Sequence, residues 1–168
     1  MKLMLSAFSI FMMFFSALAF SDESKQVVER DFNLLMKNGM KTALTQLGES
    51  RQVPPFMLLV KQDGELGVVY VPQGEEAKNV SVDRQVFKLR DMAVQTAKAG
   101  EARAILICFY SSLAVDEVQH QGLMFEMEHA QKVGMLRFLP ITENEETENL
   151  VVHTKKMVTE NKPLVMFK

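Results

Sequence analysis

The sequence predicts an α+β fold: an antiparallel sheet of five to seven strands, with a long N-terminal helix and a second helix packed on it. Three observations carry this. Apolar residues recur at three- and four-residue steps between Ser21 and Leu47. Two strand-like runs flank an Asp-Gly pair near residue 63. After Gly100, the apolar stretches are short, rich in strand formers and partly alternating.

The first helix rests on Val28, Phe32, Leu35, Met36, Met40, Ala43 and Leu47, which share one stripe. Ser21 or Asp22 is placed to cap it, Gly48 to close it, and Gly39 to weaken or bend its middle. The hairpin comprises Phe56 to Lys61 and Leu66 to Val71, with Gln62-Asp63-Gly64-Glu65 as the turn and Pro54, Pro55 and Pro72 as brackets. Both strands are apolar at nearly every position, so cover is expected on both faces. A polar loop, residues 73–79, leads to the second helix. Its stripe is Val86, Leu89, Ala93 and Ala97, with Ser81 or Asp83 as cap and Gly100 as stop.

The run "ARAILICFYSSLA" reads as a strand buried on both faces, and Ser111 to Gln119 as a polar crossing loop. In "GLMFEMEHAQKVGMLRFLP", side chains alternate across the sheet. Leu123, Phe125, Met127 and His129 share one parity, and Met124, Glu126 and Glu128 the other. The carboxylates and the imidazole therefore point to opposite sides, and the acids read as the wet face of a hairpin. "AQKVG" turns the chain into "MLRFLPI", where Arg137 meets a carboxylate only if register puts it on that face. After the acidic loop "TENEETEN", the β-branched "LVVHTKKMV" and the turn-like "TENKP" before "LVMF" favour a closing hairpin.

The order helix, two strands, helix, three strands resembles that of roadblock and profilin-like folds, an analogy of order that transfers no function. The pattern "FMLLVKQDGELGVVYV … RDMAVQTAKAGEARAILICFYSSLA … GLMFEMEHAQKVGMLRFLPI" also resembles small uncharacterised bacterial α+β proteins. That resemblance covers about residues 56–141 and rests on no diagnostic motif.

The chain opens with Lys2, an uncharged apolar run from Leu3 to Phe15, and Ala17-Leu18-Ala19. This is the pattern of a secretory signal peptide cleaved after Ala19, and the run is shorter than the roughly 20 residues of a spanning helix. The expected organisation is a signal peptide over 1–19 and one domain over 20–168, with no membrane span after cleavage. The expected location is the bacterial periplasm, with secretion beyond the cell as the alternative. Cys108 is the only cysteine, so no internal disulfide forms, and its apolar setting predicts a buried inert thiol. A net charge of -2 lacks the cationic field of a nucleic-acid binder. Asn79-Val80-Ser81 matches a glycosylation tripeptide, relevant only in a eukaryotic secretory route.

Several chemistries lack support. Ser111 and Ser112 follow a strand but lie in no G-x-S-x-G context, and the eight glycines form no phosphate-cradling loop. The methionines outside the leader are spread over helices and strands, where core filling outweighs soft-metal ligation. His120, His129 and His153 match no ligand spacing. One constellation remains: His120, at the entry to the strand bearing Glu126 and Glu128, is a candidate with them for a metal or hydrolytic site. The balance leans away from an enzyme. A non-enzymatic exported module with no cofactor, binding a protein partner or a second copy of itself, is the expected function.

Overall fold

A computed structural model describes residues 22–70, 80–115, 117–143 and 150–168. Helix α1 spans Asp22–Ser50, followed by β1 (Phe56–Lys61), β2 (Leu66–Tyr70), α2 (Val82–Lys98), β3 (Ala102–Val115), β4 (Val118–His129), β5 (Val133–Glu143), β6 (Leu150–Val152) and β7 (Val158–Asn161). The strands form one antiparallel seven-stranded sheet in the order β2-β1-β3-β4-β5-β6. β7 also pairs with β5, so β6 and β7 share one edge, β6 along Ile141–Glu143 and β7 along Met135–Phe138. The α+β class and the two helices packed on an antiparallel sheet are as the sequence predicts. The leader, the loop over 73–79 with Asn79, and most of the acidic loop lie outside the described residues.

Alternation along the strands sorts the core into two layers. Phe56, Leu58, Val60, Ala104, Leu106, Cys108, Leu123, Phe125 and Met127 face α1. Met57, Leu59, Ile105 and Ile107 face Leu89 and Ala93 of α2. The sequence stripe of α1 is buried as expected, except that Met40 packs only partly, and Asp31 and Gly39 join it. Helix α1 runs unbroken through Gly39. A Cβ there would sit 3.3 Å from a Leu106 methyl, so glycine lets α1 lie close to the sheet. Nor does Gly48 end the helix, which continues to Ser50; Arg51 takes the left-handed conformation (φ 56°), and its N–H bonds Leu47 O. In α2, Ser81 is the N-cap and accepts from Arg84 N at 3.4 Å.

The Asp-Gly turn forms as expected. Gly64 has φ 93°, and Asp63 Oδ1 accepts the Glu65 N–H at 2.9 Å. Two strand-level expectations fail. Ser111 to Gln119 is not a crossing loop, because β3 and β4 stay paired from Ala104↔His129 to Val115↔Val118. β3 loses its β1 neighbour beyond Cys108, and β4 loses its β5 neighbour before Gly122, so from Ser112 and Gln121 outward this arm leaves the sheet as a two-stranded ribbon. Its polar residues are solvated while the ladder continues. The closing hairpin also shifts: the strand is Val158–Asn161, and "LVMF" is a tail laid across the sheet rather than a strand.

Gly122 marks another close approach, since a Cβ there would lie 2.2 Å from Leu139 O. Gly122→Ala should destabilise by about 1–3 kcal/mol through overpacking. Gly48→Ala, near the exposed C-terminal end of α1 with nothing within 4 Å, should stabilise by about 0.5–1 kcal/mol. Urea midpoints measured on the two variants should move in opposite directions.

Candidate functional site

Three features lie on this frame: a buried polar cluster under α1, a carboxylate clamp on the α2 side, and a mostly apolar cleft beside β5.

The cluster begins with Asp31, 1% exposed on the apolar stripe of α1. A buried carboxylate requires partners, and a β-bulge supplies one. Val60 pairs with Ala104 but Lys61 with Ala102, so Arg103 is the extra residue and turns toward α1. Its Nε and Nη2 donate to the two Asp31 oxygens at 2.6 and 2.9 Å, and its Nη1 donates to Gln62 O at 3.1 Å. His129 completes the set, with Nε2 3.3 Å from Asp31 Oδ2. The Gln131 N–H donates to His129 Nδ1 at 3.1 Å, which assigns the imidazole proton to Nε2. Phe32 meets the His129 ring edge-on, with centroids 6.1 Å apart. Burial raises the Asp31 carboxyl, but the Arg103 and His129 hydrogen bonds and the Arg103 charge outweigh it, and its pKa falls below 3.8. Burial also lowers the His129 pKa below 6.5, against the opposing pull of Asp31. Both ring nitrogens are engaged, Asp31 and His129 are buried and Arg103 reaches the surface, so the cluster anchors α1 with its carboxylate and imidazole already committed to partners within the chain.

The expectation that Glu126 and Glu128 are wet is overturned. The parity is right: both point away from α1 and from His129. But Glu128 is fully buried and Glu126 is 7% exposed. α2 covers this face only over β1 and β3, and the C-terminal tail covers β4. Glu128 accepts the N–H groups of Val165, Met166 and Phe167 at 2.8, 2.7 and 3.1 Å, with Lys162 Nζ at 2.9 Å. Glu126 takes both Nε (3.0 Å) and Nη2 of Arg90 from α2, and Arg90 also lies over the Phe109 ring. Lys132 Nζ donates to Phe167 O. Met166 and Phe167 thereby seal the second core layer.

His120 is not part of this arrangement. It pairs with Leu113 on the ribbon, half-buried, roughly 20 Å along the strand from Glu126 at about 3.4 Å per residue. The structure does not bring His120, Glu126 and Glu128 together, and no group of three or more His, Cys, Asp or Glu able to hold a metal exists among the described residues. Cys108 is buried, and burial pushes its thiol pKa well up. His153 Nε2 meets the Thr142 hydroxyl at 2.8 Å on the surface.

The cleft lies between the first turns of α1 and the start of β5. Its volume is about 360 Å³, and Lys25, Val28, Glu29, Phe32, Asn33, Val133, Met135 and Arg137 line it. It exists because one helix about 10 Å wide cannot blanket strands spaced about 4.8 Å apart across the sheet. α1 packs on β1, β3 and β4, so the α1-side residues at the start of β5 stay only partly buried. Register places Arg137 opposite Phe125, on the α1 face and away from both carboxylates.

Sequence reasoning passed over Asp31, Arg103 and the cleft. Asp31 was findable, being a carboxylate three residues after Val28 and four before Leu35 on the apolar stripe. Arg103 was not, because its orientation depends on the bulge. No family model, curated protein or solved structure matches the chain.

Glu128→Gln should cost about 2–4 kcal/mol, because three amide donors and a buried ammonium lose their anion. Glu126→Gln should cost less, about 1–2 kcal/mol, since its Arg90 partner reaches solvent. Denaturant melts of the two variants measure the order. Acidification acts through His129 first. Below pH 6.5 the unfolded chain takes up the imidazole proton while the folded chain resists it, so stability falls as pH drops toward the lowered folded value. Asp31 adds a second loss as pH falls from 3.8 through its own lowered folded value. His129→Gln should shrink the decline in urea midpoint between pH 7.5 and 5.

Proposed function

We propose that this protein is an exported, non-enzymatic binding module whose ligand site is the cleft between α1 and β5. The observation that carries the reading is the cleft itself. Its volume of about 360 Å³ falls within the range of roughly 300–1,000 Å³ usual for small-molecule sites, which are mostly apolar with a few polar groups. Val28, Phe32, Val133 and Met135 supply apolar walls; Lys25, Glu29, Asn33 and Arg137 supply the polar groups. The floor is built on anchored residues: Phe32 follows Asp31 and packs edge-on against His129, and Val133 pairs with His129. A preformed wall limits the ordering cost of binding.

The candidates for acid-base chemistry support the same reading. Glu126 and Glu128 hold Arg90, Lys162 and the tail, and His129 is spent on Asp31 and Gln131. For location, the apolar run over residues 3–15 followed by Ala17-Leu18-Ala19 supports export with cleavage after Ala19, into the bacterial periplasm in our reading. Among the described residues, no helix is long and apolar enough to cross a membrane.

Two measurements test the proposal. Titration of methyl-labelled protein with an apolar small molecule such as decanol should shift the methyl resonances of Val28, Val133 and Met135. Asn33→Trp, at an exposed lining position, should weaken that binding at least about tenfold by filling the mouth, with the urea midpoint nearly unchanged. Shifts scattered over other surfaces, or full affinity in the tryptophan variant, count against the cleft. N-terminal sequencing of protein from an exporting host should begin at Phe20.

A further inference from the structure

The cleft carries an asymmetry of charge and of hydrogen bonding. Lys25 and Arg137 line it against Glu29 alone, which leaves one unmatched positive charge. Among the described residues, two buried side-chain polar atoms lack a hydrogen-bond partner: Gln46 Oε1 and Arg137 Nε. Only Arg137 belongs to the cleft. A covered guanidinium N–H without an acceptor is costly, and an anion satisfies it better than a neutral group does.

From this geometry we propose that the cleft selects a single-chain carboxylate of the medium-chain fatty-acid class. The hydrocarbon lies against Val28, Phe32, Val133 and Met135. The carboxylate meets the Arg137 guanidinium, with Lys25 at the rim. The site is small for its class, which suits one chain and not a two-chain lipid. Glu29 stands within the same lining and repels a second negative charge, so a monoanion is preferred to a phosphate dianion. The inference rests on the reading of the cleft as the ligand site and adds the identity of the head group.

Isothermal titration calorimetry of the purified protein with decanoate, decanol and decyltrimethylammonium at neutral pH tests it. Decanoate should bind at least about tenfold more tightly than either of the others, the value of one charge-assisted hydrogen bond. Arg137→Gln should weaken decanoate about 10- to 100-fold and leave decanol unchanged. Lys25→Gln, on the exposed side of α1, does not threaten folding and should weaken decanoate about two- to fivefold. Equal affinity for decanoate and decanol, unaltered by either variant, would overturn the head-group assignment and leave the cleft standing as an apolar site. Absence of binding by all three probes would overturn the cleft reading as well. Sedimentation with phosphatidylglycerol vesicles addresses a membrane source: Arg137-dependent capture of vesicles without decanoate binding would overturn the free carboxylate as ligand.

Discussion

The Asp31 carboxylate is the constraint on which the rest of the arrangement depends. A charge on the apolar stripe of a helix is costly unless it is met by opposite charge and hydrogen bonds. Arg103 meets it from the β1–β3 side and His129 from the end of β4, so one carboxylate ties α1 to two strands at once. Arg103 also bonds the backbone of the β1–β2 turn through Gln62. A purely hydrophobic stripe would let the helix slide along the sheet. A bidentate carboxylate–guanidinium pair sets its depth and register. With that end of α1 fixed, the start of β5 stays uncovered, and the cleft is the space left over.

On the opposite face, the same problem has a different solution. α2 is 17 residues long and covers β1 and β3. Its Arg90 reaches Glu126, and from there the C-terminal tail takes over. Glu128 gathers three consecutive backbone N–H groups and Lys162, so an irregular segment is held with the satisfaction that regular structure would otherwise provide. The acids of "FEMEH" therefore work as internal fasteners. Their chemistry is directed at the protein's own chain.

Much of the fold was legible in the sequence, because periodicity is local. The α1 stripe, the Asp63-Gly64 turn, the Ser81 cap and the parity of Leu123 to His129 each follow from residues within a few positions of one another. Misreadings came where local pattern was ambiguous. Gly48 looked like a stop, yet Arg51 provides the left-handed residue. Ser111 to Gln119 looked like a loop, although a polar ribbon keeps its ladder as readily as an apolar one. The candidate site was the least legible part. Arg137 was noticed as a possible partner of the carboxylates, and register sends it to the other face.

By itself, the sequence determined the α+β class, the two helices, the faces of the strands and the lack of an internal disulfide. These follow from side-chain spacing and a count of cysteines. Only the tertiary structure decided what covers each face. Parity says which way Glu128 points, but water or a peptide tail can lie there, and the tail arrives from 37 residues away. Likewise Arg103 reaches Asp31 across 72 residues through a bulge that shifts its side chain by one position. Burial is a property of the assembled layers, and the same carboxylate is a solvated charge or a structural clasp according to what folds over it.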